Sequence, residues 1–182
     1  MKIIPTKLKD LYIIEPDVFS DERGLLTKPF HKNTFVEHGL VSIFEESFFS
    51  ISKKNVIRGM HFQIPNQDHA KLVYVPSGAI LDAVVDLRTG SPTYGQYETV
   101  ELSSENHRMI YIPSGFAHGF LALKDNSCTT YLQSTMRSAE HEGGIRFDSF
   151  GFNWPVAHPI VSKRDQEFPS LAEFKSPFIY KA

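Results

Sequence analysis

Strand-like runs recur along the chain at short intervals, each only a few residues long. They lie at Leu11–Ile14, Ile43–Ser52, Val56–Gln63, Lys71–Val75, Ala79–Arg88, Gln96–Leu102, Met109–Ile112, His118–Leu123 and Thr129–Thr135. Turn signals punctuate them: Asp21-Glu22-Arg23-Gly24, Pro76-Ser77-Gly78, Gly90-Ser91-Pro92, Pro113-Ser114-Gly115 and Lys124-Asp125-Asn126. One early segment, His31 to His38, reads as a helix stopped by Gly39. The tail from Ser162 reads as a short helix and coil packed outside the strands. Many short strands with frequent turns predict an all-β sandwich or barrel with a few short peripheral helices. No Gly/Ser-rich or Pro-rich linker, repeat or low-complexity tract divides residues 1–182, so a single domain is expected.

Composition narrows the function classes. The 182 residues suffice for a real core, and the 41% hydrophobic content is ordinary for a globular protein. The 15 phenylalanines suit strands. A net charge of −2 provides no field that favours nucleic acid or an anionic membrane. Cys128 is the sole cysteine, so no intrachain disulfide forms, which fits a reducing compartment. The first twelve residues lack the apolar core of a signal peptide, and no stretch has the length of a membrane span. A cytoplasmic protein is expected.

Candidate chemistry gathers in four places. In Arg58-Gly59-Met60-His61-Phe62-Gln63, period two puts His61 and Gln63 on one face; in the next strand Lys71, Val73 and Val75 share a face. If both faces line a barrel interior, a histidine and a lysine meet in an apolar cup, and a buried lysine is costly without an anion. In the opposite register Lys71 faces solvent and His61 is a hydrogen-bonded core histidine; period two alone does not choose. The second place, Pro113-Ser114-Gly115-Phe116-Ala117-His118-Gly119-Phe120, resembles the second cupin motif, whose histidine often binds metal. A catalytic metal usually needs three protein ligands. The first motif would supply His-x-His, but here it reads His61-Phe62-Gln63, with Lys71 near the expected acidic ligand. His69 is a possible substitute ligand, on the Lys71 strand and in its register. A cation beside such a site argues against a metal, and none is expected. The third place is Tyr131, ordinarily core or rim. The fourth is Ser162-Lys163-Arg164-Asp165, ordinarily solvated surface unless Asp165 reaches a ring nitrogen of His61.

Taken in order, these motifs resemble the dTDP-4-dehydrorhamnose 3,5-epimerases and their single-centre relatives. The resemblance runs from Asp21-Glu22-Arg23-Gly24 through the His61 and Lys71 strands. It continues through Val85-Asp86-Leu87-Arg88-Thr89-Gly90-Ser91-Pro92-Thr93-Tyr94-Gly95, the His118 motif, Tyr131 and Trp154-Pro155 to Asp165. It implies a cupin-type jelly roll and a homodimer whose N-terminal segment completes the partner's site. It also implies an isomerase that needs no cofactor and acts on a nucleotide-diphosphate 4-keto-6-deoxysugar, in deoxysugar biosynthesis for surface polysaccharide. By position His61 matches the base, Asp165 its dyad partner, Tyr131 the acid and Lys71 the lysine near the ketone. Arg23, Arg58, His118, Glu142 and Arg164 match residues that bind the sugar nucleotide.

Several nucleotide-binding positions depart from the family pattern. Lys28 stands where a Glu is usual, Glu46-Ser47-Phe48 replaces Gln-x-Asn, and no tyrosine lies near Met136-Arg137, where Arg137 could stack on a base instead. These departures predict a CDP or GDP carrier rather than dTDP, and inversion at C3 alone; the alternative is an unchanged dTDP 3,5-epimerase. Rival readings are a metal-dependent cupin oxygenase, a non-catalytic sugar-binding cupin and a ketoisomerase.

Overall fold

The computed structural model describes residues 1–181. Five strands match the expected runs closely: β6 (Val56–Gln63), β8 (Ala79–Asp86), β9 (Tyr97–Ser103), β10 (Met109–Ile112) and β12 (Ser127–Gln133). Others shift at their ends. β2 is Tyr12–Glu15, β5 begins only at Glu46 and runs to Ser52, β7 extends from Lys71 to Ser77, and β11 is Phe116–Ala122. The expected His31–His38 helix is α1 (Lys32–Glu37), with His31 at its N-cap and the left-handed Gly39 beyond it. The tail helix is α2 (Lys163–Glu167), capped by Ser162, whose Oγ accepts from the Asp165 N–H at 3.1 Å.

Five strands fall outside the predicted runs: β1 (Lys2–Pro5), the hairpin β3 (Val18–Asp21) and β4 (Gly24–Thr27), β13 (Glu142–Gly144) and β14 (Ile160–Val161). The Asp21–Gly24 turn signal closes that hairpin.

The strands form two six-stranded sheets plus the hairpin. One sheet has the order β1-β2-β10-β7-β12-β5; the other has β13-β6-β11-β8-β9, with β14 parallel to β6. This is a cupin-type jelly roll. Alternation divides the side chains into three apolar layers. Val73, Val75, Ile80, Val84, Ile110, Phe116 and Phe120 fill the space between the sheets. Met60, Phe62, Ala83, Val85 and Ala117 face outward and are covered by Phe150, Phe152, Trp154, Phe174 and Phe178 of the C-terminal segment. Ile14, Leu72, Met109 and Tyr111 face the other way, beneath Phe35 of α1.

This layering decides the register that the sequence left open. Met60 and Phe62 point out, so His61 and Gln63 point in; Leu72 points out, so Lys71 points in and is 7% exposed.

Candidate active site

A cavity of about 880 Å³ opens between the sheets at one end of the barrel. Its walls carry His61 and Arg58 from β6, Lys71 from β7, His118 from β11 and Tyr131 from β12, with Phe48 from β5. His61 and His118 are cross-strand neighbours in one sheet. Tyr131 belongs to the other sheet, where Gln133 pairs with Lys71.

Two glycines make the His61 wall possible. A Cβ on Gly59 would stand 2.4 Å from the Gly119 Cα, so only glycine at both positions lets β6 and β11 approach this closely. The Gly59 N–H is turned toward Asp165 and donates to Oδ2 at 3.2 Å. Asp165 thereby reaches across from α2, and its Oδ1 lies 2.9 Å from His61 Nε2. Arg164 Nη2 sits 3.0 Å from the same nitrogen, and Arg164 Nε donates to Asp165 Oδ1 at 3.1 Å.

Protonation follows from these contacts. Burial would raise the Asp165 carboxyl, but the hydrogen bonds and charge of His61 and the Gly59 N–H outweigh it, and the group falls to about 2. Burial draws His61 below its ordinary value; Asp165 opposes this, and Lys71 and Arg164 reinforce it. The ring is thus neutral at pH 7. Asp165 can only accept from Nε2 and Arg164 can only donate to it, so the two contacts compete. The shorter one, to Asp165, puts the proton on Nε2 and leaves the lone pair on Nδ1, which has no hydrogen-bond partner among the described residues. Burial drives the Tyr131 phenol well above its ordinary value, so it holds its proton. Its ring stacks on Phe48, with centroids 4.6 Å apart and planes at 16°, and meets the edge of His118 at 6.1 Å. Burial lowers Lys71 to about 8, with Asp82 and Glu142 holding it up against that desolvation. Its Nζ donates to the His61 carbonyl at 3.5 Å.

Sequence reasoning missed Asp82. It is fully buried on β8, and its Oδ2 pairs with His118 Nε2 at 2.7 Å, a second His–Asp pair beside the first. Burial is the chief influence on its carboxyl and raises it, against the pull of His118 and Lys71. A readable signal existed: an Asp flanked at i±2 by Ile80 and Val84, on a face whose other members are core.

Arg137, Glu142 and Arg164 line the cavity mouth. Glu142 takes two bonds from Arg137, at 2.7 and 3.1 Å, and faces Arg164 at 3.5 Å. Glu46 is off the cavity wall and accepts from the Arg137 N–H at 2.6 Å. Arg23 and Lys28 do not reach this cavity: Arg23 is exposed on the β3–β4 turn, paired with Asp21, and Lys28 is exposed just past β4. His69 lines the cavity, but among the described residues no group of three His, Cys, Asp or Glu is placed to hold a metal ion.

Residues 5–173 match the family model for dTDP-4-dehydrorhamnose 3,5-epimerase. The chain belongs to this family. It is therefore an isomerase, one of the sugar epimerases. It is 41% identical to the dTDP-4-dehydrorhamnose 3,5-epimerase of Methanothermobacter thermautotrophicus, over 94% of this chain and 95% of that one. Among solved structures, the Legionella pneumophila dTDP-6-deoxy-D-glucose-3,5-epimerase, in complex with dTDP-4-keto-L-rhamnose, superposes with a TM-score of 0.94. It is 36% identical, covering 100% of this chain and 99% of that one. A 3′-monoepimerase from Streptomyces bikiniensis, in complex with dTDP-quinovose, superposes with a TM-score of 0.89. It is 29% identical, covering 93% and 87%. The same epimerase fold thus serves enzymes named for two centres and for one.

Proposed function

We propose that this epimerase inverts carbon next to the ketone of a dTDP-linked 4-keto-6-deoxyhexose, by proton abstraction on one face and proton return on the other. The observation that carries the reading is the placement of a neutral imidazole and a protonated phenol on opposite sheets across one cavity. The C3–H bond breaks, the proton passes to His61 Nδ1, and the electron pair moves into the carbonyl to form an enolate. Asp165 stabilises the imidazolium that results. The Lys71 ammonium stabilises the enolate oxygen in a site of low dielectric. Tyr131 then protonates the carbon from the other face. Arg58, Arg137 and Arg164 line the cavity and suit a diphosphate through bidentate hydrogen bonds.

The names of the relatives support dTDP as the carrier. Of the departures that pointed to CDP or GDP, Glu46 lies off this chain's cavity, Phe48 and Arg137 line it, and Lys28 follows the hairpin proposed below to reach the partner's cavity. Inversion at C3 alone remains a second reading, favoured by Arg137, rather than an aromatic, at the mouth. We also propose a homodimer. The β3–β4 hairpin is exposed throughout except Thr27, and leaves Phe19, Leu25 and Leu26 about 60% accessible. A hairpin of that character suits burial against a second copy.

Solvent exchange tests the chemistry. In heavy water the protein with dTDP-4-keto-6-deoxyglucose is expected to place deuterium at C3, and also at C5 if both centres react. His61→Ala abolishes exchange, whereas Tyr131→Phe slows inversion by about two to four orders of magnitude yet leaves abstraction. No exchange by the wild-type protein on confirmed substrate would reject the reading. Preference in kcat/KM for the CDP- or GDP-linked sugar would replace the carrier.

A further inference from the structure

His69 stands two residues before β7 and shares the inward face of Lys71, since Ala70 and Leu72 between and beyond them belong to the outer layer. Its surroundings fix its tautomer. Gln63 Oε1 accepts from the Ser138 N–H at 2.6 Å, and Gln63 Nε2 donates to the Gln67 carbonyl at 2.7 Å, so the orientation of the amide is set. The same Nε2, which can only donate, lies 3.1 Å from His69 Nδ1 and 3.3 Å from the Met136 carbonyl. Nδ1 is the nearer acceptor for the second N–H, which puts the imidazole proton on His69 Nε2. His69 is 7% exposed, and Nε2 has no hydrogen-bond partner among the described residues. Buried polar groups are rarely left so, because an unmade bond costs the full desolvation of the donor.

We propose that His69 Nε2–H is a second hydrogen-bond donor, beside Lys71, to the sugar oxygen that becomes the enolate oxygen. The inference rests on the epimerase mechanism above and adds a residue to it. When the electron pair from the broken C–H bond reaches the carbonyl oxygen, a neutral donor held in the cavity wall strengthens its bond to that oxygen. Neutrality matters here, because a second cation would repel Lys71. Burial, then the Lys71 charge, hold the His69 ring down at about 3, so it remains an uncharged donor across the working range.

Three variants separate the donor from the fold. His69→Gln places an amide N–H near the Nε2 position. His69→Asn can still serve Gln63 but is too short to reach the sugar. His69→Leu removes both. The expected result is kcat for C3 exchange within about tenfold of wild type for His69→Gln. His69→Asn and His69→Leu lose about 10²–10³-fold in kcat, with the larger effect in kcat rather than KM. Binding of dTDP alone should be unchanged in all three. If His69→Leu fails to fold, His69→Asn, checked by its thermal melt, carries the comparison. Equal kcat for His69→Asn and His69→Gln, or a loss confined to KM, would overturn the proposal. Absence of exchange in the wild-type protein would instead overturn the epimerase mechanism itself.

Discussion

His61 and Tyr131 begin with the same problem, a titratable ring in a poorly solvated cup, and burial moves them in opposite directions. The imidazole is kept free of its proton and the phenol is kept in possession of one. That division is what an acid–base pair needs at neutral pH, and it predicts the pH dependence of kcat/KM. Activity should fall on the acid side as His61 takes up a proton, at a pH below the ordinary histidine value. It should fall again on the alkaline side through about 8, where Lys71 loses the charge that steadies the enolate. Tyr131 contributes nothing to that alkaline limb, because its shift is upward. A profile measured with saturating and limiting substrate checks this; a flat response through the Lys71 range would remove Lys71 from its role. At this scale much was legible. Period two restricted His61, Gln63, Lys71 and His69 to two registers, and only the covering layers could choose between them. Asp82 was readable as an inward carboxylate, but its pairing with His118 and the Gln63–Ser138 clamp on His69 were not, since they depend on segments distant in sequence.

Among the elements, the longer inner strands of the two large sheets, β6, β7, β8, β10, β11 and β12, were visible because they are buried along most of their length. β1, the hairpin, β13 and β14 are short, exposed or nearly without side-chain pattern, so only a turn signal announced any of them. α2 is equally short, yet it has a function: Ser162 caps it, and Asp165 projects from its first turn to His61. What the sequence could not show is that β6 must come within glycine distance of β11 for that reach to succeed. Gly59 has φ +140°, and its added Cβ would meet backbone at Gly119 rather than a side chain that could move aside. Gly59→Ala should therefore destabilise the protein by about 2–4 kcal/mol, combining strain and overpacking. The part that remains folded should also lose exchange activity, since the N–H holding Asp165 moves with the backbone. Urea denaturation together with the exchange assay measures both; an unchanged midpoint would mean that the strands part without cost.

For the whole molecule, the open question is where Arg23 acts. It matches a sugar-nucleotide residue by position, yet it is 85% exposed at the tip of a hairpin and does not line its own chain's cavity. The hairpin also carries Val18, Phe19, Leu25 and Leu26 in the open, and among the described residues no helix is long and apolar enough to cross a membrane. A two-fold dimer that seats each hairpin on the other copy accounts for both facts, covering the apolar residues and delivering Arg23 to the partner's cavity. Subunit mixing tests this directly. His61→Ala lacks the base in its own cavity, and Arg23→Ala would lack the arginine it lends. Each homodimer should be nearly inactive. If the two are unfolded together and refolded, half of the dimers are mixed, and each mixed dimer holds one cavity with both lesions and one with neither. About one quarter of wild-type activity should return for equal amounts of the two chains. If Arg23 served its own chain's cavity, every cavity would keep one lesion and mixing would restore nothing. A monomer in sedimentation at micromolar concentration, with full activity, would end the dimer proposal altogether.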